Sequence, residues 1–147
     1  MNKFIKILLI TVGVLFLCVA IFIGVVYSAF SFDNMCGTKY SNSVNSPDKK
    51  LKVMVFSLNC GAISDFSTQI SIVEFKYKLK DNDTGNIFSA DSDHNLAKMN
   101  GEVLDVNIKW INNKTVEIIY PKKSRIFTNK KNLDGIKIIS KFNELNE

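Results

Sequence analysis

The sequence predicts an all-β domain, folded as an antiparallel meander, a small sandwich or a partly open barrel, behind one N-terminal transmembrane helix. Three observations predict it. Phe4 to Phe30 is almost unbroken in its apolar character and contains no charged side chain except Lys6, near its start. Beyond that segment, apolar residues recur at every second position and not at helical spacing. Between the apolar runs stand turn formers, Ser46-Pro47-Asp48 and Asn112-Asn113 among them, and no convincing amphipathic helix interrupts the series.

The apolar segment is long enough to span a bilayer. At about 1.5 Å of rise per residue, roughly 20 residues cross the hydrocarbon core, and Ile7 to Tyr27 supplies them. In lipid each backbone N–H must find its partner inside the segment, so a lone span is a helix. Lys3 and Lys6 precede it and no basic residue follows before Lys39. The positive-inside rule then puts the N-terminus in the cytoplasm and the rest of the chain outside it, anchored through residues 4–30 in the inner (cytoplasmic) membrane with a periplasmic domain. A cleaved signal peptide competes with this reading, since Val26 and Ser28 are small enough to precede a cut, but signal h-regions run only about 7–15 residues. Cys18 follows Leu17 where lipoprotein processing wants a small residue, so it reads as an apolar member of the helix.

The chain divides into the anchor at 1–30, a polar juxtamembrane linker and strand entry at 31–45, and a β domain at 46–147. About 117 residues beyond the helix suffice for one domain and not for two. A first strand is expected around Tyr40–Val44, turned by Asn45–Lys49 into Leu51–Leu58, which is apolar on both faces as a central strand would be. Ser67–Phe75 alternates through Thr68, Ile70 and Ile72. Asn86–Ala90 adds a short strand. Leu104, Val106, Ile108 and Trp110 alternate with polar neighbours and lead through Asn112-Asn113, residues that tolerate positive φ, into Thr115–Tyr120 as a hairpin that Pro121 ends. Gly135–Phe142 is the last strand.

Charge excludes one class of function. Nineteen basic residues against 14 acidic give a net +5, and without Lys3 and Lys6 the domain holds 17 against 14. So small a surplus does not indicate nucleic-acid binding. Lys122, Lys123, Arg125, Lys130 and Lys131 concentrate it locally, as a solvated basic face or as a surface for anionic headgroups or an acidic partner.

Cys36 and Cys60 are the cysteines outside the helix, and in an oxidising compartment they form one disulfide. Closing that loop stabilises the fold by roughly 3 kcal/mol. The competing reading makes Cys60 a nucleophile with His94 as its base, in a hydrolase or metal-dependent enzyme. The hydroxyls of Ser64, Ser67 and Thr68 are read as local turn and strand-entry donors. The acidic stretches Asp81–Asn86 and Ala90–Asn95, with His94 beside Asp91 and Asp93, resemble a calcium loop only weakly. Gly85 stands at the fifth place and no glutamate follows at the required distance. No paired His or Cys spacing supports zinc. No metal or cofactor is therefore assigned, and the stretch reads as an exposed loop.

The segments SPDKKLKVMVF, CGAISDFSTQISIV, GNIFSADSDH and VNIKWINNKTVEIIYP together resemble an uncharacterised family of small bacterial membrane-anchored proteins and lipoproteins. Its members carry a Ser-Pro-Asp-Gly-Lys turn, a Cys-Gly-Ala-Thr-Thr and Phe-Ser-Thr-Gln segment, an Asp-His loop and a Trp-then-hairpin ending. Ser46, Pro47 and Asp48 match the turn. Cys60, Gly61, Ala62 and Phe66 to Gln69 match the signature, Asp93 and His94 the loop, and Trp110 the hairpin entry. Lys49 stands where the pattern has glycine, and Ile63-Ser64 replaces two threonines. The resemblance implies location and fold and brings no activity. The function expected is an uncharacterised membrane-anchored binding or interaction protein without evident catalytic machinery, engaging a protein or envelope component through a candidate binding loop of Ser64, Asp65, Phe66, Asp91, Asp93 and His94. A periplasmic toxin-immunity protein and a Cys60/His94 enzyme are the alternatives.

Overall fold

The computed structural model describes residues 2–29, 36–61 and 66–143, and the chain separates into two units, Met1–Asn34 and Met35–Glu147. The first is helix α1, Lys3–Ala29. It is long and apolar enough to cross a membrane, a description that a signal sequence near the N-terminus also meets. Its threonine and serine hydroxyls are satisfied internally: Thr11 Oγ1 donates to the Leu8 carbonyl and Ser28 Oγ to that of Val25, each at 2.9 Å.

The second unit contains β1 (Gly37–Asn45), β2 (Leu51–Asn59), β3 (Ser67–Glu74), β4 (Phe88–Asp91), β5 (Met99–Asn100), β6 (Val103–Leu104), β7 (Asn107–Asn112), β8 (Thr115–Pro121), β9 (Arg125–Asn129), β10 (Asn132–Leu133) and β11 (Ile136–Asn143). They form a five-stranded sheet in the order β1-β2-β3-β4-β9, a four-stranded sheet in the order β10-β11-β8-β7, and the small hairpin β5-β6. The stretch expected as linker and strand entry is strand from Gly37 onward, because its polar residues pair with β2 through backbone groups that do not depend on side-chain polarity.

One core joins the sheets. Val53, Val55, Ile70, Ile72, Phe88 and Ala90 from the larger sheet meet Trp110, Val116, Ile118, Ile136 and Ile138 from the smaller, with Leu104 of the hairpin beside them. The architecture is a small sandwich and not a closed barrel. Trp110 ties its edges together by donating its Nε1–H to the Val44 carbonyl at 3.0 Å. β2 is buried on both faces, as its sequence requires: Val53 and Val55 face the core, while Met54 and Phe56 lie under the segment that follows β3.

Two expectations change. The pairing of β11 with β8 is parallel, from Lys137 opposite Thr115 to Asn143 opposite Pro121. The stretch between them is long enough for the crossover of roughly a dozen residues that a parallel pair needs, and it carries β9 away to the edge of the other sheet. The turn of the β7–β8 hairpin does not use positive φ, because Asn112 Oδ1 accepts the Lys114 N–H at 2.8 Å and a bulge at Trp110/Asn112 adjusts the register. The non-glycine residues at positive φ are Lys49, Asn82, Asp93, His94, Asn95 and Asp134. Lys49, at φ 55°, occupies the position where the resembled turn has glycine, and the backbone conformation gives the reason.

Candidate functional site

Strand direction brings the predicted loop residues to one end of the larger sheet. Gly37 lies opposite Asn59, Leu58 opposite Ser67, Thr68 opposite Ala90, and Asp91 opposite Arg125. The entry to β1, Cys60 beyond the end of β2, Phe66 before the start of β3, the loop after Asp91 and the turn before Arg125 therefore share one rim. β8 ends at this rim with Pro121, and β11, parallel to it, ends there with Asn143.

At the rim the Cys36–Cys60 disulfide closes the β1–β2 pair, one position beyond the Gly37/Asn59 rung. The nucleophile that the enzyme alternative needs at Cys60 is thus consumed in a covalent bond. Gly61, at φ 101°, donates its N–H to Asn59 Oδ1 at 3.0 Å. Ser64 and Asp65 of the candidate loop lie outside the described residues. Phe66 is 39% exposed where the chain enters β3.

The signature hydroxyl and amide groups serve the fold. Thr68 is fully buried, and its Oγ1 accepts the Leu104 N–H at 2.7 Å, pinning the β5-β6 hairpin to β3. That bond spans the fold and is not the local one expected from sequence. Ser67 Oγ accepts from Gln69 Nε2 at 2.5 Å, and Gln69 Oε1 accepts the Gly85 N–H at 2.7 Å. Ser71 Oγ donates to the Thr84 carbonyl at 3.2 Å and accepts the Asn86 N–H at 3.0 Å. Asn86 in turn bonds both backbone groups of Ile72, imitating a neighbouring strand. Gly85 is the sequence signal for this docking: a Cβ there would lie 2.3 Å from the Phe88 carbonyl oxygen. Asp83, once a candidate ligand, accepts from the Tyr77 hydroxyl at 2.9 Å and the Lys80 N–H at 2.8 Å. The loop so held walls a cleft of about 190 Å³ over Met54, Phe56 and Val73. Among the described residues no group of three or more His, Cys, Asp or Glu side chains is placed to hold a metal ion.

The corner at Asp91 is built differently. Asp91 is buried, and the Arg125 guanidinium meets its carboxylate through Nε, at 3.1 and 3.2 Å, and through Nη2. Burial pushes the Asp91 carboxyl up. The Arg125 hydrogen bonds, the Asp93 N–H and the nearby positive charge outweigh that and hold it below the usual carboxylate range. The same carboxylate accepts the Asp93 N–H at 2.9 Å and so starts a left-handed turn. Asp93, His94 and Asn95 follow at φ 48°, 59° and 67°. Ser92 fastens the turn: its Oγ accepts the Asn95 N–H at 3.0 Å and its carbonyl the Ala97 N–H at 2.9 Å. Three successive non-glycine residues in this region cost roughly 1 kcal/mol or more apiece, so the buried ion pair and these bonds hold a knuckle the chain would not adopt unaided. His94 and Leu96 are exposed on it, Leu96 by 62%. The sequence showed Asp91, Asp93 and His94 as a cluster but gave no sign that Arg125, 34 residues on, completes it.

Residues 2–132 match the Family of unknown function (DUF5412). The chain belongs to that family. No curated protein and no solved structure matches it. Family membership brings no activity.

Proposed function

We propose that this protein is a membrane-anchored, extracytoplasmic binding module that engages an envelope component through the rim of loops at the β1-entry end of its sandwich. The single observation that carries the reading is the knuckle at Asp93–Asn95, three left-handed residues supported by the buried Asp91 carboxylate and the Arg125 guanidinium. A loop fixed in an unfavourable conformation before any ligand arrives loses little further entropy on binding, which is what a recognition surface requires. The Cys36–Cys60 bond stiffens the same rim, and the apolar helix supports the anchor. The signature side chains, engaged in internal hydrogen bonds, fit a scaffold role for Thr68, Gln69 and Ser71.

Site-specific photo-cross-linking of the full chain in its own membranes tests this. A cross-linking residue at Leu96, on the knuckle, should give a discrete adduct that one at Ile111, on β7, does not. Identical adduct patterns at the two positions would remove the rim as a binding surface.

A further inference from the structure

We infer that the cleft on the outer face of the larger sheet is a binding site for a small primary amine in its ammonium form, carried on a compact apolar body about one ring in size. The inference does not rest on the rim. Side chains alternate along β2, so Val53 and Val55 enter the core while Met54 and Phe56 point to the opposite face. There residues 75–86 cross back over the sheet as a strap, and three strands hold it. Thr38 Oγ1 on β1 donates to the Lys80 carbonyl at 2.9 Å, Lys52 Nζ on β2 donates to the Tyr77 carbonyl at 2.7 Å, and Gln69 and Ser71 on β3 accept the Gly85 and Asn86 N–H groups. A site fixed in this way loses little freedom when it is filled.

The lining sets the class of ligand. Met54, Phe56, Val73 and Leu79 give the cleft apolar walls, and its volume of about 190 Å³ exceeds the roughly 150 Å³ in which an apolar cavity holds one benzene ring. Asp83 is the one charged residue among the described residues that line it. Its carboxylate accepts the Tyr77 hydroxyl, at 2.9 and 3.1 Å to the two oxygens, and the Lys80 N–H at 2.8 Å. Those two donors occupy about half of the roughly four acceptor positions of a carboxylate. Among the described residues no lysine or arginine forms an ion pair with it. The two nearby lysines are engaged elsewhere, Lys52 with the Tyr77 carbonyl and Lys80 with the Tyr77 ring, 5.9 Å from its centroid. Residues 30–35, 62–65 and 144–147, outside the described residues, include Asp33, Asp65, Glu144 and Glu147 and no lysine or arginine, so their side chains bring no competing cation. A half-buried carboxylate in the wall of an apolar cleft attracts a ligand that joins a cation to an apolar body, and repels an anion of the same shape.

The test uses the full chain in lipid nanodiscs with its methionine methyl groups isotopically labelled for NMR. Benzylammonium, benzyl alcohol and benzoate are titrated in turn, since they share one ring and differ in charge. Ring-current shifts at the Met54 methyl read occupancy of the cleft, and Met99, which packs on the core side, is the internal control. The expected result is a saturable shift at Met54 and not at Met99 with benzylammonium, binding at least about tenfold weaker with benzyl alcohol, and none with benzoate, because a hydrogen bond to a charged group is worth about that factor. Asp83→Asn keeps an acceptor oxygen for the Lys80 N–H and should erase the preference for the ammonium over the alcohol. Val73→Phe puts a ring into the cleft and should abolish the Met54 response to all three. Fluorescence of the buried Trp110 shows that each variant is folded, and if Asp83→Asn unfolds, the three-ligand comparison in the parent chain decides alone. Benzyl alcohol or benzoate binding as tightly as benzylammonium, equal shifts at Met54 and Met99, no saturable shift at Met54, or a shift that survives Val73→Phe overturns the proposal. None of these outcomes alters the cross-linking expected at Leu96, so the cleft and the rim stand or fall separately.

Discussion

Replacing Gly85 by alanine tests whether the signature segment acts as scaffold. The added Cβ would meet the Phe88 carbonyl oxygen at 2.3 Å, and Gln69 Oε1 and the Ile70 nitrogen at 2.9 Å each. Two of these three are strand backbone. Phe88 pairs with Ile70 on one side and Asn129 on the other, so neither strand can withdraw without disturbing the ladder. Ordinary contact begins at 3.4 Å, so the carbonyl must retreat by about 1 Å. That displacement also stretches the 2.7 Å bond from the Gly85 N–H to Gln69 Oε1. Overpacking of about 1–3 kcal/mol, with about 1 kcal/mol more for the weakened bond, gives an expected loss of about 2–4 kcal/mol. Urea unfolding of the detergent-solubilised chain, followed by fluorescence of Trp110, its one tryptophan and 7% exposed, reads this directly. At a slope of about 2 kcal/mol per molar, the midpoint should fall by about 1–2 M. A Gly85→Ala variant within about 0.5 kcal/mol of the parent would refute the claim that Gln69, Ser71 and Asn86 clamp this loop, and would return the signature to consideration as reactive chemistry.

Further outcomes follow from particular residues. Lys49→Gly should stabilise the fold by about 0.5–1 kcal/mol in the same urea assay, because φ 55° strains any side chain except glycine. Thr68→Val removes the acceptor of the buried Leu104 N–H and should cost about 1–3 kcal/mol, whereas Thr68→Ser, which keeps the hydroxyl, should cost less. Joint replacement of Cys36 and Cys60 by serine should cost roughly 3 kcal/mol, and mass measurement before and after reduction should show the two-proton difference of one disulfide. The folded-state pKa of Asp91 is depressed, so its contribution is complete above the unfolded carboxyl value of about 3.9 and disappears as pH falls through the lower folded value. Asp48, lowered first by the Ser46 hydroxyl and then by the Lys50 N–H, acts in the same direction. Arg125→Gln should flatten the Asp91 part of that acid limb and destabilise the neutral-pH protein by about 1–3 kcal/mol, since a mostly buried carboxylate loses its cation.

The apolar run, the period-two alternation and the turn residues determined the helix, the principal strands and the β7–β8 hairpin, because these depend on local chemistry and on burying one face. Two lone cysteines determined the disulfide for the same economical reason. Tertiary structure alone decided the rest. Period two says which face of a strand is wet but not which strand lies beside it, so the parallel β8–β11 pair and the placement of β9 at the far edge were invisible in sequence. Thr68 and Leu104, or Asp91 and Arg125, carry no local mark of each other, since a side chain's partner is set by where the backbone returns. Folding back is also what turned scattered loop residues into one rim: successive strands reverse direction, and every second connection arrives at the same end of the sheet.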